Sequence, residues 1–300
     1  MEETQISCAR QPDRLVSREE VSGHETAGEA RIAAMLELLE QLFRQVRHYA
    51  HPERFDRERG FLQFPRHTTM QFDRDAEDII IKGLIESGHG FEVMTEERAT
   101  FSTAERPDYR ILINPVDGLD NVARGIMTAA IALAVLPIDA QVVPEQVQWA
   151  LVGELFSGTV YQSQRGGGAF RNGRHCQVSQ VTAIEQSVLG INLDSRDLST
   201  LGALFSHDPA PAHVRHTGST AIDVVYVASG AYDAYIDVGG VLTGESFLAS
   251  ASIVLEAGGQ ISDRDGKPLQ PISHLIAGYS IVVASTKLLH QAFLNKIHMQ

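Results

Sequence analysis

Cysteine is scarce in this chain of 300 residues, which contains two, Cys8 and Cys176. Because they are far apart and lack metal-ligand spacing, they exclude a disulfide framework and a thiolate metal site. Such low cysteine use is typical of a reducing compartment, so we expect a cytoplasmic protein. Long apolar runs are also missing, and residues 1–25 are polar with no signal-peptide core. We therefore expect no membrane association.

Positive charge is in short supply as well. The chain has 25 lysine and arginine residues against 38 aspartate and glutamate residues, which gives a net charge of −13. Such a surface repels nucleic-acid phosphates, so we expect no nucleic-acid partner. It also repels small phosphorylated molecules at long range. A phosphate site here would need a bound metal or a local cationic patch.

The apolar pattern predicts alternating helices and strands. Apolar residues recur at helical spacing over 26–50 and 73–87, whereas short apolar runs predict buried strands. This alternation is typical of a layered α/β protein. We expect a flexible N-terminal arm over 1–25, one α/β half over 26–182 and a second over 183–300. The predicted helices cover 26–50, 73–87, 221–229 and 245–257; the predicted strands cover 91–94, 109–113, 126–136, 147–152, 234–236 and 281–285; a surface loop is predicted over 51–66.

The stretch Asn-Pro-Val-Asp-Gly-Leu-Asp-Asn at 114–121 carries the strongest functional signal. It follows the predicted strand 109–113, which Pro115 is expected to break. The Asp117 carboxylate and the Val116 carbonyl would then lie at a strand end, where they offer the oxygen ligands that Mg²⁺ prefers. Taken alone, these eight residues favour an ordinary β-turn in which Asp and Asn cap their own backbone, because both are common turn residues.

The stretch resembles the Asp-Pro-Ile/Leu-Asp-Gly-Thr-x-Asn signature of the inositol monophosphatase family. Other stretches match the same family in the same order, over roughly residues 30–295. The resemblance implies a five-layer αβαβα sandwich of the inositol monophosphatase and fructose-1,6-bisphosphatase type, usually dimeric. It also implies Mg²⁺-dependent hydrolysis of a small phosphorylated cyclitol, sugar or nucleotide. The matching stretches are Thr-Glu-Glu at 95–97, Gly-Glu-Leu-Phe at 153–156, the glycine-rich run 166–173, Gly-Ser-Thr-Ala-Ile-Asp at 218–223, Glu-Ala-Gly-Gly at 256–259 and Val-Ala-Ser at 283–285.

The resemblance assigns catalytic and metal-binding roles to Glu96 and Asp117, and a metal-binding carbonyl to Val116. The chain departs from the family at two other metal ligands, because Asn114 and Ser246 stand where aspartates are expected. An asparagine can still offer a carbonyl oxygen to Mg²⁺, but it brings no charge. We therefore expect weak binding or a single metal site.

Three acidic residues lie one position away from a family counterpart and are candidate replacement ligands: Glu97, Asp120 and Glu245. One residue on a helix is a turn of about 100°. Glu245 should therefore point elsewhere unless the start of its helix is rearranged. The chain has two extra residues between Asp237 and Glu245 relative to a typical member, which makes such a rearrangement plausible.

The substrate side of the family pattern is less altered. Ser219 and Thr220 would start a helix whose N–H groups suit an anion or a polyol. A simple N-cap by either hydroxyl explains them too, and both roles can hold at once. Leu119 replaces a threonine that helps to orient the attacking water in the family. The resemblance implies substrate contacts at Gly118, Leu119, Gly218, Ser219, Thr220 and Asp237.

Three functional hypotheses follow. The first is a metal-dependent phosphomonoester hydrolase with an altered metal site. The second is an inactive family member that binds a phosphorylated ligand or a partner. The third is an enzyme that uses the same cleft for another reaction, such as phosphate elimination. Fold-level similarity cannot choose among them, because function belongs to the site.

Overall fold

The computed structural model describes residues 19–50, 66–194, 202–206 and 208–298. The chain divides into two compact units, residues 1–34 and residues 35–300. Helix α1 (Glu19–Tyr49) begins in the first unit, earlier than the predicted start at residue 26. Residues 1–18 of the predicted arm and residues 51–65 of the predicted loop 51–66 lie outside the described residues, and Arg66 begins a helix. Within the described part of the chain, no helix has both the length and the apolar character that a membrane span requires.

Eight strands form the larger sheet, in the order β2-β1-β3-β4-β5-β6-β7-β8. Only β1 and β3 pair in parallel, and the other neighbours are antiparallel. The long middle strands are almost wholly apolar, as expected for strands covered on both faces. The strands are β1 (Phe91–Thr95), β2 (Phe101–Ser102), β3 (Tyr109–Asp117), β4 (Ala130–Pro137), β5 (Trp149–Glu154), β6 (Val160–Gln164), β7 (Gly168–Arg171) and β8 (Arg174–Cys176).

Five strands form the smaller sheet, in the order β10-β9-β11-β13-β12. The first three are parallel, so their carboxyl ends meet at one edge of the sheet. The strands are β9 (Val188–Ile191), β10 (His213–Arg215), β11 (Ala234–Leu242), β12 (Gln260–Ser262) and β13 (Tyr279–Ala284). The remaining helices are α2 (Arg66–Glu86), α3 (Leu119–Ala123), α4 (Gly202–Ser206), α5 (Thr220–Ala228), α6 (Gly244–Glu256) and α7 (Lys287–Ile297).

The elements stack as the predicted five layers. Helices α5 and α6 lie between the two sheets and share one core with them. Helix α7 packs on the outer face of the smaller sheet, against β12 and β13. On the outer face of the larger sheet, a Cβ on Gly153 of β5 would lie 2.3 Å from the Phe43 ring, so only glycine allows α1 to approach this closely. The αβαβα expectation is confirmed.

Two predicted boundaries near the functional motif were wrong. Strand β3 continues through Pro115 to Asp117 instead of ending at residue 113. The pairing of β3 with β4 shifts register between Asn114 and Asp117. Such an irregularity removes the need for a ladder hydrogen bond from Pro115, and proline is found in strands at such places. The predicted strand 126–136 begins at Ala130, because the preceding residues form the turn that follows α3.

Candidate functional site

Asp117 lies at the end of β3 and connects the larger sheet to helix α5. Its Oδ2 accepts hydrogen bonds from Ser219 Oγ at 2.5 Å and from the Ala221 N–H at 2.8 Å. Its Oδ1 accepts a hydrogen bond from Asn114 Nδ2 at 3.1 Å. The side chain is buried. The carboxylate therefore has three donors, all supplied by this chain.

Two glycines allow the loops that carry these residues to approach each other. Gly118 has φ +95°, and a Cβ there would lie 2.9 Å from the Thr128 carbonyl oxygen. Gly218 has φ +79°, and its Cβ would lie 2.8 Å from Asn121 Nδ2. This Asn121 amide donates to the carbonyl oxygens of Thr128 and Thr217. Both backbone conformation and space demand glycine at the two positions.

Two groups accept hydrogen bonds from the N–H groups at the start of α5: the Ser219 hydroxyl and the Asp117 carboxylate. Ser219 is the N-cap, and its side chain accepts a hydrogen bond from the Ile222 N–H. Thr220 points instead to the smaller sheet, with its Oγ1 3.3 Å from the Tyr235 hydroxyl. The Ala221 N–H, which the sequence suggested for an anionic ligand, donates to Asp117. A substrate anion would have to share this helix start with a buried carboxylate.

Glu245, in the first turn of α6, lies within electrostatic reach of Glu96 and Asp117. We call the space around these carboxylates the cleft. It is buried, and its Oε1 accepts a hydrogen bond from Thr243 Oγ1. Its Oε2 is buried without a hydrogen-bond partner among the described residues. Burial raises its pKa to about 7, and repulsion from Glu96 and Asp117 adds to the rise. The sequence left the direction of Glu245 dependent on how its helix begins, and in the structure the helix begins at Gly244 and this side chain is buried.

Ser246 lies beside Glu245 and belongs to the same small network. Its Oγ is 3.0 Å from Thr243 Oγ1, the hydroxyl that also binds Glu245. One threonine thus bridges the residue at the substituted position and its acidic neighbour.

Burial also raises the pKa of Asp117, to about 6. The hydrogen bonds from Ser219, Ala221 and Asn114 oppose the rise, whereas the negative charge of Glu96 adds to it. Both Asp117 and Glu245 thus lie within the electrostatic reach of Glu96, which follows β1. Three of the sequence-predicted acids, Glu96, Asp117 and Glu245, therefore lie within electrostatic reach of one another, although they come from three distant parts of the chain.

Asp73 is an acidic residue of this cleft that the sequence reading missed. It is buried on α2, and burial raises its pKa to about 7, with repulsion from Glu97, Glu96 and Glu77 adding to the rise. Glu96 itself is exposed, but its pKa is raised by partial loss of solvent and then by Glu97. The signal for Asp73 in the sequence was a carboxylate at the start of an apolar helix, which is common on surface helices and so was not distinctive.

Glu77 on α2 fixes the turn that contains Glu96. This fully buried carboxylate accepts hydrogen bonds from Thr95 Oγ1 at 2.5 Å and from Arg98 Nε at 2.7 Å. Arg98 also binds Asp78 on the exposed side of the same helix. Residues on both sides of Glu96 are therefore fixed to α2.

Comparison with known proteins shows which family the chain belongs to. The model of the inositol monophosphatase family matches residues 26–300. The chain belongs to the inositol monophosphatase family. An inositol-1-monophosphatase of Mesorhizobium japonicum is 30% identical over 226 residues, which are 74% of this chain and 82% of the relative. A fructose-1,6-bisphosphatase/inositol-1-monophosphatase of Methanothermobacter thermautotrophicus is 27% identical over 237 residues, 77% of this chain and 84% of the relative.

Solved structures of the family share the fold. SaIMPase-II with inositol monophosphate bound superimposes with a TM-score of 0.70 at 22% identity, covering 90% of this chain and 95% of that protein. At this level of identity the likeness concerns the fold alone. The named relatives are phosphatases, and the family is generally Mg²⁺-dependent.

Three of the candidate site residues take no direct part in the group of carboxylates formed by Glu96, Asp117, Glu245 and Asp73. Asp120 is exposed on α3, and its carboxylate has no hydrogen bond or ion pair with another described residue. Asp237 is fully buried and accepts hydrogen bonds from Asn192 Nδ2 and the Gly239 N–H, both at 3.1 Å. Leu119 is half-buried at the start of α3 and has no group that could hydrogen-bond a water molecule.

The donor set fits one hard cation better than the two of the family. Within the described residues, no three His, Cys, Asp or Glu side chains already form a metal-binding group. The buried Glu245 Oε2, which lacks a donor, is an oxygen that a cation would satisfy. On the other side of the cleft Asn114 presents an N–H group to Asp117, and an N–H group cannot bind a metal ion. The residues present therefore fit a single ion on the Glu245 side, and they do not fit a second ion between residues 114 and 117.

Proposed function

We propose that this chain is a phosphomonoester hydrolase acting on a small phosphorylated cyclitol, sugar or nucleotide, with one Mg²⁺ site in place of two. Family membership supports the reaction class. The altered carboxylate set supports the reduced number of ions.

The observation that carries the proposal is the buried Glu245 Oε2. A carboxylate oxygen without a donor is costly in a protein interior, and here two further acids repel it. A divalent cation would relieve both penalties at once. Mg²⁺ is bound by a few carboxylates, carbonyls and waters. Glu245 and Glu96 would be its ligands, with the Val116 carbonyl and Ser246 as further candidate positions. Of the other candidates, Asn114 and Asp117 bond to each other and Asp120 is exposed.

The chain's own residues would position the substrate. Asn121 holds the loops at Gly118 and Gly218 together, and this supports a substrate-positioning role for Leu119, Ser219 and Thr220. Asp237 would reach substrate hydroxyls only after giving up hydrogen bonds that it makes now. A bound cation would neutralise the phosphate and lower the pKa of a water molecule.

A second candidate, a family member that binds a phosphorylated ligand without hydrolysing it, is favoured by Leu119. Because this residue cannot orient a water molecule, hydrolysis should be slow even with the ion bound. The same cleft could serve another reaction, such as phosphate elimination. Under either candidate we propose a homodimer, as the family resemblance implies, and light scattering tests its size. A cytoplasmic location is proposed from the low cysteine content.

A phosphatase screen with inositol phosphates, sugar phosphates and nucleotide bisphosphates, with Mg²⁺ or Mn²⁺, tests the proposal. We expect slow, metal-dependent turnover of at least one substrate, which Glu245→Gln abolishes and the exposed-site control Glu105→Gln retains. Tight binding of a phosphorylated ligand without turnover would favour the second candidate. Metal-independent turnover, or full activity of Glu245→Gln, would contradict the proposed ion site.

A further inference from the structure

The contact between Asn114 and Asp117 joins two side chains that are both about nine-tenths buried. Asn114 is 9% exposed and Asp117 8% exposed, and the amide nitrogen lies 3.1 Å from Oδ1. An amide oxygen in that place would face a carboxylate oxygen and repel it. The amide therefore donates, and its partial positive charge faces the carboxylate.

Hydrogen bonds stabilise the Asp117 carboxylate without any ion. A buried carboxylate must be stabilised by donors or by a cation. Here Oδ2 receives a hydroxyl and a backbone N–H, and Oδ1 receives the Asn114 amide. The backbone donor belongs to the first turn of α5, where the helix dipole also favours negative charge. Because Asp117 is on β3 and Ser219 precedes α5, these bonds also hold the walls of the cleft together.

We propose that the Asn114 amide takes the place of a metal ion at Asp117, so that the cleft is assembled without a cation. An aspartate at position 114 would confront Asp117 with a second buried carboxylate, and only a cation between them would then stabilise the pair. The inference concerns the assembly of the cleft, and it stands or falls separately from the proposed hydrolysis.

Thermal unfolding of three proteins, each with excess EDTA or with millimolar Mg²⁺, tests the inference. The proteins are the natural chain, Asn114→Asp and the uncharged control Asn114→Ala. In EDTA we expect the natural chain to stay folded with a cooperative transition. Asn114→Asp should unfold at least about 5 °C lower, since each kcal/mol of destabilisation shifts the midpoint by a few degrees in a chain of this size. Mg²⁺ should restore most of that loss.

The size of the Mg²⁺-induced rise separates the outcomes. A rise in Asn114→Asp well above that of the natural chain, with a smaller rise in Asn114→Ala, supports the inference. A rise in Asn114→Asp no larger than that of the natural chain would overturn it, as would unfolding of the natural chain on chelation.

Ion stoichiometry of the natural chain is a second measurement, which does not require any variant to fold. Calorimetric titration with Mn²⁺ should show no more than one ion per chain. Two ions per chain would overturn the inference, because the Asn114 amide would then not have taken the place of an ion. No bound ion and no turnover would refute the proposed hydrolase site and still support the inference.

Discussion

The carboxylate of Asp117 and the hydroxyl of Ser219 meet at an O–O distance of 2.5 Å, although 102 residues separate them in sequence. The first ends a strand of the larger sheet, and the second caps the helix that packs between the sheets. The bond therefore has two consequences: it satisfies a buried charge, and it fixes the cleft between two motifs of the family.

Replacing Ser219 by alanine should destabilise the protein by about 1–3 kcal/mol, because the change removes a hydrogen bond to a buried carboxylate and the N-cap of α5. Urea unfolding in the presence of EDTA measures the effect. The matched control is Ser252→Ala, since this buried hydroxyl donates to the Ala249 carbonyl within its own helix. Equal losses in the two variants would show that the bond to Asp117 adds nothing.

Glu77→Gln should destabilise the protein and weaken metal binding together. The buried Glu77 carboxylate holds Thr95 and Arg98, the residues that flank the turn with Glu96. Because Arg98 is 40% exposed, water screens the ion pair, and we expect a loss of about 1–2 kcal/mol.

Asp78→Asn is the control for Glu77→Gln, because it removes a contact to the same Arg98 from a carboxylate that is 60% exposed. Its cost should stay below about 0.5 kcal/mol. Urea unfolding and Mg²⁺ calorimetry of both variants provide the comparison. A larger effect at Asp78 would mean that the buried contact is not what positions Glu96.

Stability of the metal-free protein should fall as the pH rises from about 4 to about 7. The pKa of Glu245 is raised from 4.5 to about 7, and that of Asp73 from 3.8 to about 7. As the pH rises, a carboxyl group whose pKa is raised by folding ionises in the unfolded chain before it ionises in the folded protein. Its contribution to the free energy of unfolding is therefore complete below the unfolded pKa and is lost as the pH rises to the folded pKa. For Glu245 the loss is on the order of 3 kcal/mol.

The variant Glu245→Gln should show a flatter pH dependence, because it lacks the ionisable group. Urea unfolding across this pH range, with EDTA present, measures the slope, and Glu105→Gln at an exposed site is the control. An unchanged slope in Glu245→Gln would show that this carboxyl is not held protonated by the cleft.

Leu119→Thr should raise any phosphatase turnover by about tenfold or more, because a hydroxyl there can hydrogen-bond a water molecule. Leu119→Val is the control, since it has the same branching without the hydroxyl. The measurement is kcat with Mg²⁺ on the best substrate from the screen. If both variants behave alike, Leu119 does not lie beside the attacking water.

Local sequence placed several parts of the site correctly. The motif at 114–121 does lie at a strand end, and Ser219 does start a helix, because both depend on residues next to each other in the chain. Pro115 misled the strand prediction, since a register shift lets β3 continue through it. The direction of the Glu245 side chain could only be given conditionally, because it depends on where α6 begins, and Asp73 gave no distinctive signal at all.

The sequence alone determined the family, the layered α/β class and the chemical character of the altered positions, because these follow from residue types in a fixed order. Only the tertiary structure decided which acids share a cleft, that Glu245 Oε2 is buried without a donor, and that Asn114 donates to Asp117. The reason is that burial and hydrogen-bond geometry are set by elements far apart in sequence. Electrostatic energies depend on those distances and on the loss of water, and neither is encoded locally.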